Sequence, residues 1–137
     1  MDEPLNLVLF SGTDDKLQAA AVLTAGAAAL GKPVNVFLQY WALDAFRSDR
    51  IGSDHGLAPE AGEDGRRAVE ALRSAGQASW AETLRQAKEL GGVDIQACSL
   101  SMDLLHLDAN DLDPLVDGSE GVTSFYLNAG AGQVVFI

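Results

Sequence analysis

The only thiol of the chain, Cys98, stands in Val93-Asp94-Ile95-Gln96-Ala97-Cys98-Ser99-Leu100-Ser101-Met102-Asp103-Leu104-Leu105, which reads as a strand running straight into a helix. Val93, Ile95 and Ala97 alternate as strand residues do. Met102, Leu104 and Leu105 begin a helical pattern for which Ser99 or Ser101 is a fitting N-cap. Cys98 is therefore expected at a strand's carboxyl end, where open α/β sheets bind ligands and helix N-termini present free N–H groups. Those amides and the helix dipole favour an anion, and the thiolate is the nucleophilic form of cysteine. Asp103, read as part of the same first turn, opposes that effect. Free cysteine also commonly fills space in a core, so position alone leaves a reactive and a structural role open.

Other polar clusters point to less. Ser11-Gly12-Thr13 follows an apolar run and opens a helix as phosphate loops do. The nucleotide fingerprints need more glycines, and Asp14 and Asp15 would repel a phosphate there. Asp108, Asn110, Asp111 and Asp113 resemble a calcium loop only superficially, because Leu112 occupies the third ligand position and no glycine follows where the loop requires it. His55 and His106 are far apart in sequence, and no spacing argues for a zinc site. His106 ends the helix after Cys98, where an imidazolium suits the helix dipole as well as it would suit a proton carrier. No metal and no cofactor are expected.

The elements that position these residues alternate. Leu5 to Phe10 reads as a first strand. Thr13 or Asp14 caps a helix with Leu17, Ala20, Leu23, Ala27 and Leu30 on one stripe, and Thr24 and Gly26 interrupt its apolar run. Pro33 opens a second strand through Leu38, followed by an aromatic turn, Tyr40-Trp41-Ala42-Leu43; Trp41 there either lines the cleft or merely caps the barrel of the fold. From Arg47 to Gly65 periodicity is lost, and the segment reads as mobile rather than as a lid. Helical spacing returns at Val69 and Leu72, breaks near Gly76, and resumes at Ser79 with a capping box and a core Trp80. After the Cys98 strand and its helix, Leu115-Val116 reads as a brief strand, Val122 to Ala129 as a helix and Val134 to Ile137 as the last strand. About five strands alternate with about five helices, which predicts an α/β three-layer sandwich on a mainly parallel five-stranded sheet, flavodoxin- or Rossmann-like.

The totals agree with one globular domain over residues 1–137. No apolar run reaches the roughly 20 residues of a membrane span, and Met1-Asp2-Glu3-Pro4 lacks the basic start of a secretory signal. A single cysteine excludes an internal disulfide and four-ligand cysteine sites, which suits a reducing, cytoplasmic setting. Twenty acidic against nine basic residues, a net charge of −11, disfavour nucleic acid and anionic membranes as partners.

Read together, the aromatic turn Tyr40-Trp41-Ala42-Leu43, Leu90-Gly91-Gly92-Val93, the string Ala97-Cys98-Ser99-Leu100-Ser101-Met102-Asp103, Gly121 to Phe125 and Val135-Phe136-Ile137 resemble the DsrE/DsrF-like family, in particular its peroxiredoxin-like branch. The resemblance spans nearly the whole chain, and the Ala-Cys-x-x-Ser-Met-Asp string is its specific part. Ala42, in place of the usual Gly, and His106, in place of a helix-ending Gly, depart from the pattern. The resemblance implies a homo-oligomeric sulfur-relay protein that carries sulfane sulfur as a persulfide on Cys98 and passes it between donor and acceptor proteins. Ser11, Gly12, Tyr40, Trp41, Ser99, Ser101 and Met102 are the expected substrate-binding residues, with Tyr40 and Trp41 shielding the sulfur. The alternative is a non-catalytic binding or assembly module in which Cys98 only packs. A peroxidase has little support, because no second thiol is present to resolve a sulfenic acid. The relay reading needs a sulfur that solvent can reach.

Overall fold

The computed structural model describes residues 3–137; Met1 and Asp2, on which part of the leader reading rests, lie outside the described residues. The chain runs β1 (Leu5–Leu9), α1 (Asp14–Ala29), β2 (Val34–Leu38), α2 (Tyr40–Ala45), α3 (Gly62–Ser74), α4 (Trp80–Leu90), β3 (Val93–Cys98), α5 (Ser99–Leu104), β4 (Gly118–Glu120), α6 (Val122–Ala129) and β5 (Val134–Phe136). Short 3-10 turns occupy Pro59–Ala61 and Ala109–Asp111. All five strands pair in parallel, in the order β4-β3-β2-β1-β5. The chain thus steps outward from β1 to β4 and returns through α6 to place β5 on the free side of β1. This is the expected α/β architecture on a parallel sheet, with helices on both faces.

Alternation along the strands gives the two faces different jobs. Leu7, Leu9, Val34, Val36, Leu38, Ile95 and Ala97 point to one face and form the main core with α1 and α4. Small residues on α1, Ala20, Ala21, Ala27 and Ala28, let that helix pack closely. Thr24, which reads as an interruption, is fully buried because its hydroxyl donates to the Ala20 carbonyl, whereas Leu23 and Leu30 of the expected stripe face outward. The opposite face carries Asn6, Val8, Asn35, Phe37, Asp94, Gln96, Cys98 and Glu120, and α6 packs on it through Phe125 on Phe37. No helix is long and apolar enough to cross a membrane among the described residues.

Several local readings are corrected. The aromatic turn is the start of helix α2. The fourth strand is Gly118–Glu120, not Leu115-Val116: the Asp113 carboxylate accepts from the Leu115 amide, turning Leu115 into the main core, and Asp117 begins pairing with Ile95. The segment after Arg47 is tied down rather than loose. The Asp14 carboxylate accepts from the His55 amide at 3.0 Å and from the Trp80 indole at 2.9 Å. Asp15 accepts from the Ala58 amide, the Asp14 amide donates to the Gly56 carbonyl, and Arg47 bridges to Leu112. Acidic residues that suit the first turn of α1 therefore also anchor a long connection.

Removing the Asp14 carboxylate leaves a buried indole N–H without its partner and releases this connection. Asp14→Ala is expected to lower unfolding free energy by about 1–3 kcal/mol in urea titration and to speed limited proteolysis between Arg47 and Ala61. Unchanged stability and cleavage would contradict this anchoring.

Candidate functional site

Cys98 is the last residue of β3 and the N-cap of α5, so strand and helix meet at the sulfur with no intervening turn. The expected caps, Ser99 and Ser101, lie inside the helix, and Asp103 lies beyond its first turn. The Cys98 side chain makes no capping hydrogen bond to the α5 amides. Parallel pairing sets Cys98 beside Glu120 of β4.

The thiol is covered. Cys98 is 4% exposed and forms a small cluster with Phe37 of β2 and Phe125 of α6, with Val8 packed against it. The Phe37 and Phe125 rings stack with centroids 4.9 Å apart and planes 17° apart. The expectation of an open sulfur is therefore not met, because α6 lies across this face of the sheet. Two clefts of about 290 and 660 Å³ lie elsewhere, between α3 and the body, lined among others by Asp14, Asp54, Val69, Arg73 and, in the larger, Leu72 and Trp80. Cys98 lines neither of them.

The other expected site residues are spread around the carboxyl edge. Ser101 is buried, and its hydroxyl oxygen accepts from the Tyr40 amide at 3.1 Å, fastening α5 to the start of α2. That contact holds Tyr40 at φ +44°, in the left-handed region. Tyr40 packs on Phe10 with centroids 4.9 Å apart, while Trp41 is 56% exposed. The rings over the sulfur are thus Phe37 and Phe125, not Tyr40 and Trp41. Met102 turns into the main core, away from the Cys98 cluster. A side chain at Gly12 would collide with the Trp41 carbonyl, so Gly12 serves the close approach of β1 to α2. Ser11 shares a hydroxyl contact with Thr13 at 3.4 Å. His106 ends α5 at φ +55°, the conformation a helix-ending glycine supplies. Among the described residues no three His, Cys, Asp or Glu side chains come together to hold a metal ion.

A set of amides that pattern reading passes over holds α6 in place. The last carbonyls of a helix lack intrahelical partners. Here the side-chain amide of Asn6 donates to the Ala129 carbonyl at 3.3 Å and that of Asn35 to the Asn128 carbonyl at 3.3 Å. Asn35 also donates to the Asn6 side chain at 2.9 Å, and Asn128 donates to Glu120 at 3.1 Å. The signal available in sequence was two asparagines at strand positions, residues that are depleted in strands.

Burial, and then the charge of Asp94, hold the Glu120 carboxyl above its ordinary value, and the Asn128 hydrogen bond offsets only part of this. The folded state therefore favours the neutral acid, and its stability falls as pH rises from the ordinary carboxylate value through the raised one. Glu120→Gln keeps an acceptor for Asn128 and removes the charge. It is expected to be more stable than the parent at neutral pH, with the gap closing below about pH 4, measured as urea midpoints across pH. A gap that widens on acidification would contradict the sign.

Residues 1–60, from β1 through α2 into the following connection, match the model of the DsrE/DsrF/DrsH-like family. The match ends before Cys98. The chain is 28% identical over 149 residues to the uncharacterized protein YrkE of Bacillus subtilis, covering 93% of this chain and 92% of that one. The fold is similar to the crystal structure of the ychN protein of E. coli, with a TM-score of 0.60, 14% identity and both chains fully covered. It is also similar to MTH1491 of Methanobacterium thermoautotrophicum, a protein of unknown function, with a TM-score of 0.53, 14% identity and coverage of 99% and 100%. These structural likenesses concern the fold. The first 60 residues of the chain are thus similar to the DsrE/DsrF/DrsH-like family.

Proposed function

We propose that the chain is a single-domain sulfur-relay protein in which Cys98 carries sulfane sulfur. The supporting observation is the position of the only thiol, at the carboxyl end of an inner parallel strand and the N-cap of α5. The Cys98 thiolate attacks the outer sulfur of a donor persulfide, forming an Sγ–S bond while the donor S–S bond breaks and its electron pair leaves with the donor thiolate. An acceptor thiolate then attacks the carried sulfur, and Cys98 leaves as thiolate. The exchange needs no cofactor, since each step is a thiol exchange balanced in electrons. Exclusion of water by the two rings suits storage of a labile sulfur between these steps. Val134, Phe136, Tyr126 and Leu127, exposed beside α6, offer a donor, an acceptor or another copy of the chain an apolar surface to meet. A lone thiol working this way fits a reducing compartment such as the cytoplasm.

The burial of Cys98 favours a second reading, an assembly module in which the thiol only packs. Incubation with polysulfide followed by intact mass measurement separates the two. The relay reading predicts the gain of one sulfur, reversed by excess acceptor thiol and absent in Cys98→Ser. Failure of the parent to gain sulfur, or the same gain in Cys98→Ser, would leave the assembly reading in its place.

A further inference from the structure

We propose that α6 is a hinged cover over Cys98, latched shut by the side chains of Asn35, Asn128 and Glu120. The inference deepens the sulfur-relay reading, because a covered sulfur needs a way to be uncovered.

The cover is a single short element. Of the apolar residues clustered with Cys98, Phe37 and Val8 belong to the sheet and Phe125 belongs to α6. Only Phe125 and Ala129 of the eight residues of α6 are buried, a stripe one turn long, while Val122, Tyr126 and Leu127 face outward. A helix of this length is not stable by itself in water, so its position depends on what it touches. The helix lies between Gly121 and Gly130, and Gly130 sits at φ +56°, where a side chain would be strained. Lifting α6 about these glycines breaks the Phe37–Phe125 stack and the Asn6–Ala129, Asn35–Asn128 and Asn128–Glu120 bonds. The β1–β2–β3 ladders and the core with α1 and α4 on the other face stay intact. Few buried contacts and a hydrogen-bonded latch at the surface are the marks of a segment that opens without global unfolding.

The test is the rate at which iodoacetamide alkylates Cys98 in the full chain, followed by intact mass at several low urea concentrations. A local cover predicts a parent rate almost insensitive to urea. Asn128 is exposed, so Asn128→Ala removes the bond to Glu120 without opening a cavity. That variant should react roughly two- to tenfold faster, the shift in an opening equilibrium expected from one net hydrogen bond, with its urea unfolding slope unchanged. Asn35→Ala, which frees the Asn128 carbonyl, should act in the same direction. A parent rate that rises with urea as steeply as global unfolding would overturn the proposal, as would an Asn128→Ala rate equal to the parent's in a folded protein. Alkylation is independent of sulfur transfer. Gated alkylation without persulfide formation would refute the relay and leave the cover, and persulfide formation with ungated alkylation would do the reverse.

Discussion

The stacking of Phe125 on Phe37 is the contact on which the site depends, because it brings the last crossover helix against the face opposite the main core. Strand alternation sends most aliphatic residues to the α1 and α4 face, where they make the main core. The other face receives Asn6, Asn35, Gln96, Asp94, Glu120 and the thiol, together with Val8, Phe37 and, from β5, Val134 and Phe136. The apolar area that α6 itself buries is small, since only its Phe125 and Ala129 are buried. The helix is held where its one buried ring finds another ring and where its orphan carbonyls find asparagine amides.

This division of labour explains how a thiol can be enclosed without being part of the main core. The α1 and α4 side supplies stability and is filled by residues whose exchange would open cavities. The α6 side is thin, polar at the amino ends of the strands and aromatic near their carboxyl ends, and can rearrange without disturbing the ladders. Glu120 sits at the junction, paired across the strands with Cys98 and bonded to Asn128 of the covering helix. The carboxyl edge is fixed by a different device, the Ser101 hydroxyl that binds the amide of Tyr40 and locks α2 to α5.

Architecture was legible in the sequence because it is carried by repeated local patterns: the alternation in β1 to β3, the Ala-rich helix α1, and the capping box at Ser79, whose hydroxyl accepts from the Glu82 amide. The thiol's place at the end of β3 was legible for the same reason. Its surroundings were not, because Phe37 and Phe125 lie far apart in the chain and meet only through the order of the sheet. Tyr40 and Trp41 directly follow β2, yet Tyr40 packs on Phe10 and Trp41 faces outward. The segment after Arg47 looked loose because its backbone partners are carboxylates on α1 rather than a periodic pattern of its own.

Storage of Cys98 behind a helix that opens by itself is tested most directly by native-state hydrogen exchange. Amides of Phe125 to Ala129 are predicted to exchange through an opening insensitive to low denaturant, well below the free energy at which amides of β1, β2 and β3 exchange. If the α6 amides instead exchanged with the same free energy and the same denaturant dependence as those strands, the helix would be part of the global unit and the account would be contradicted.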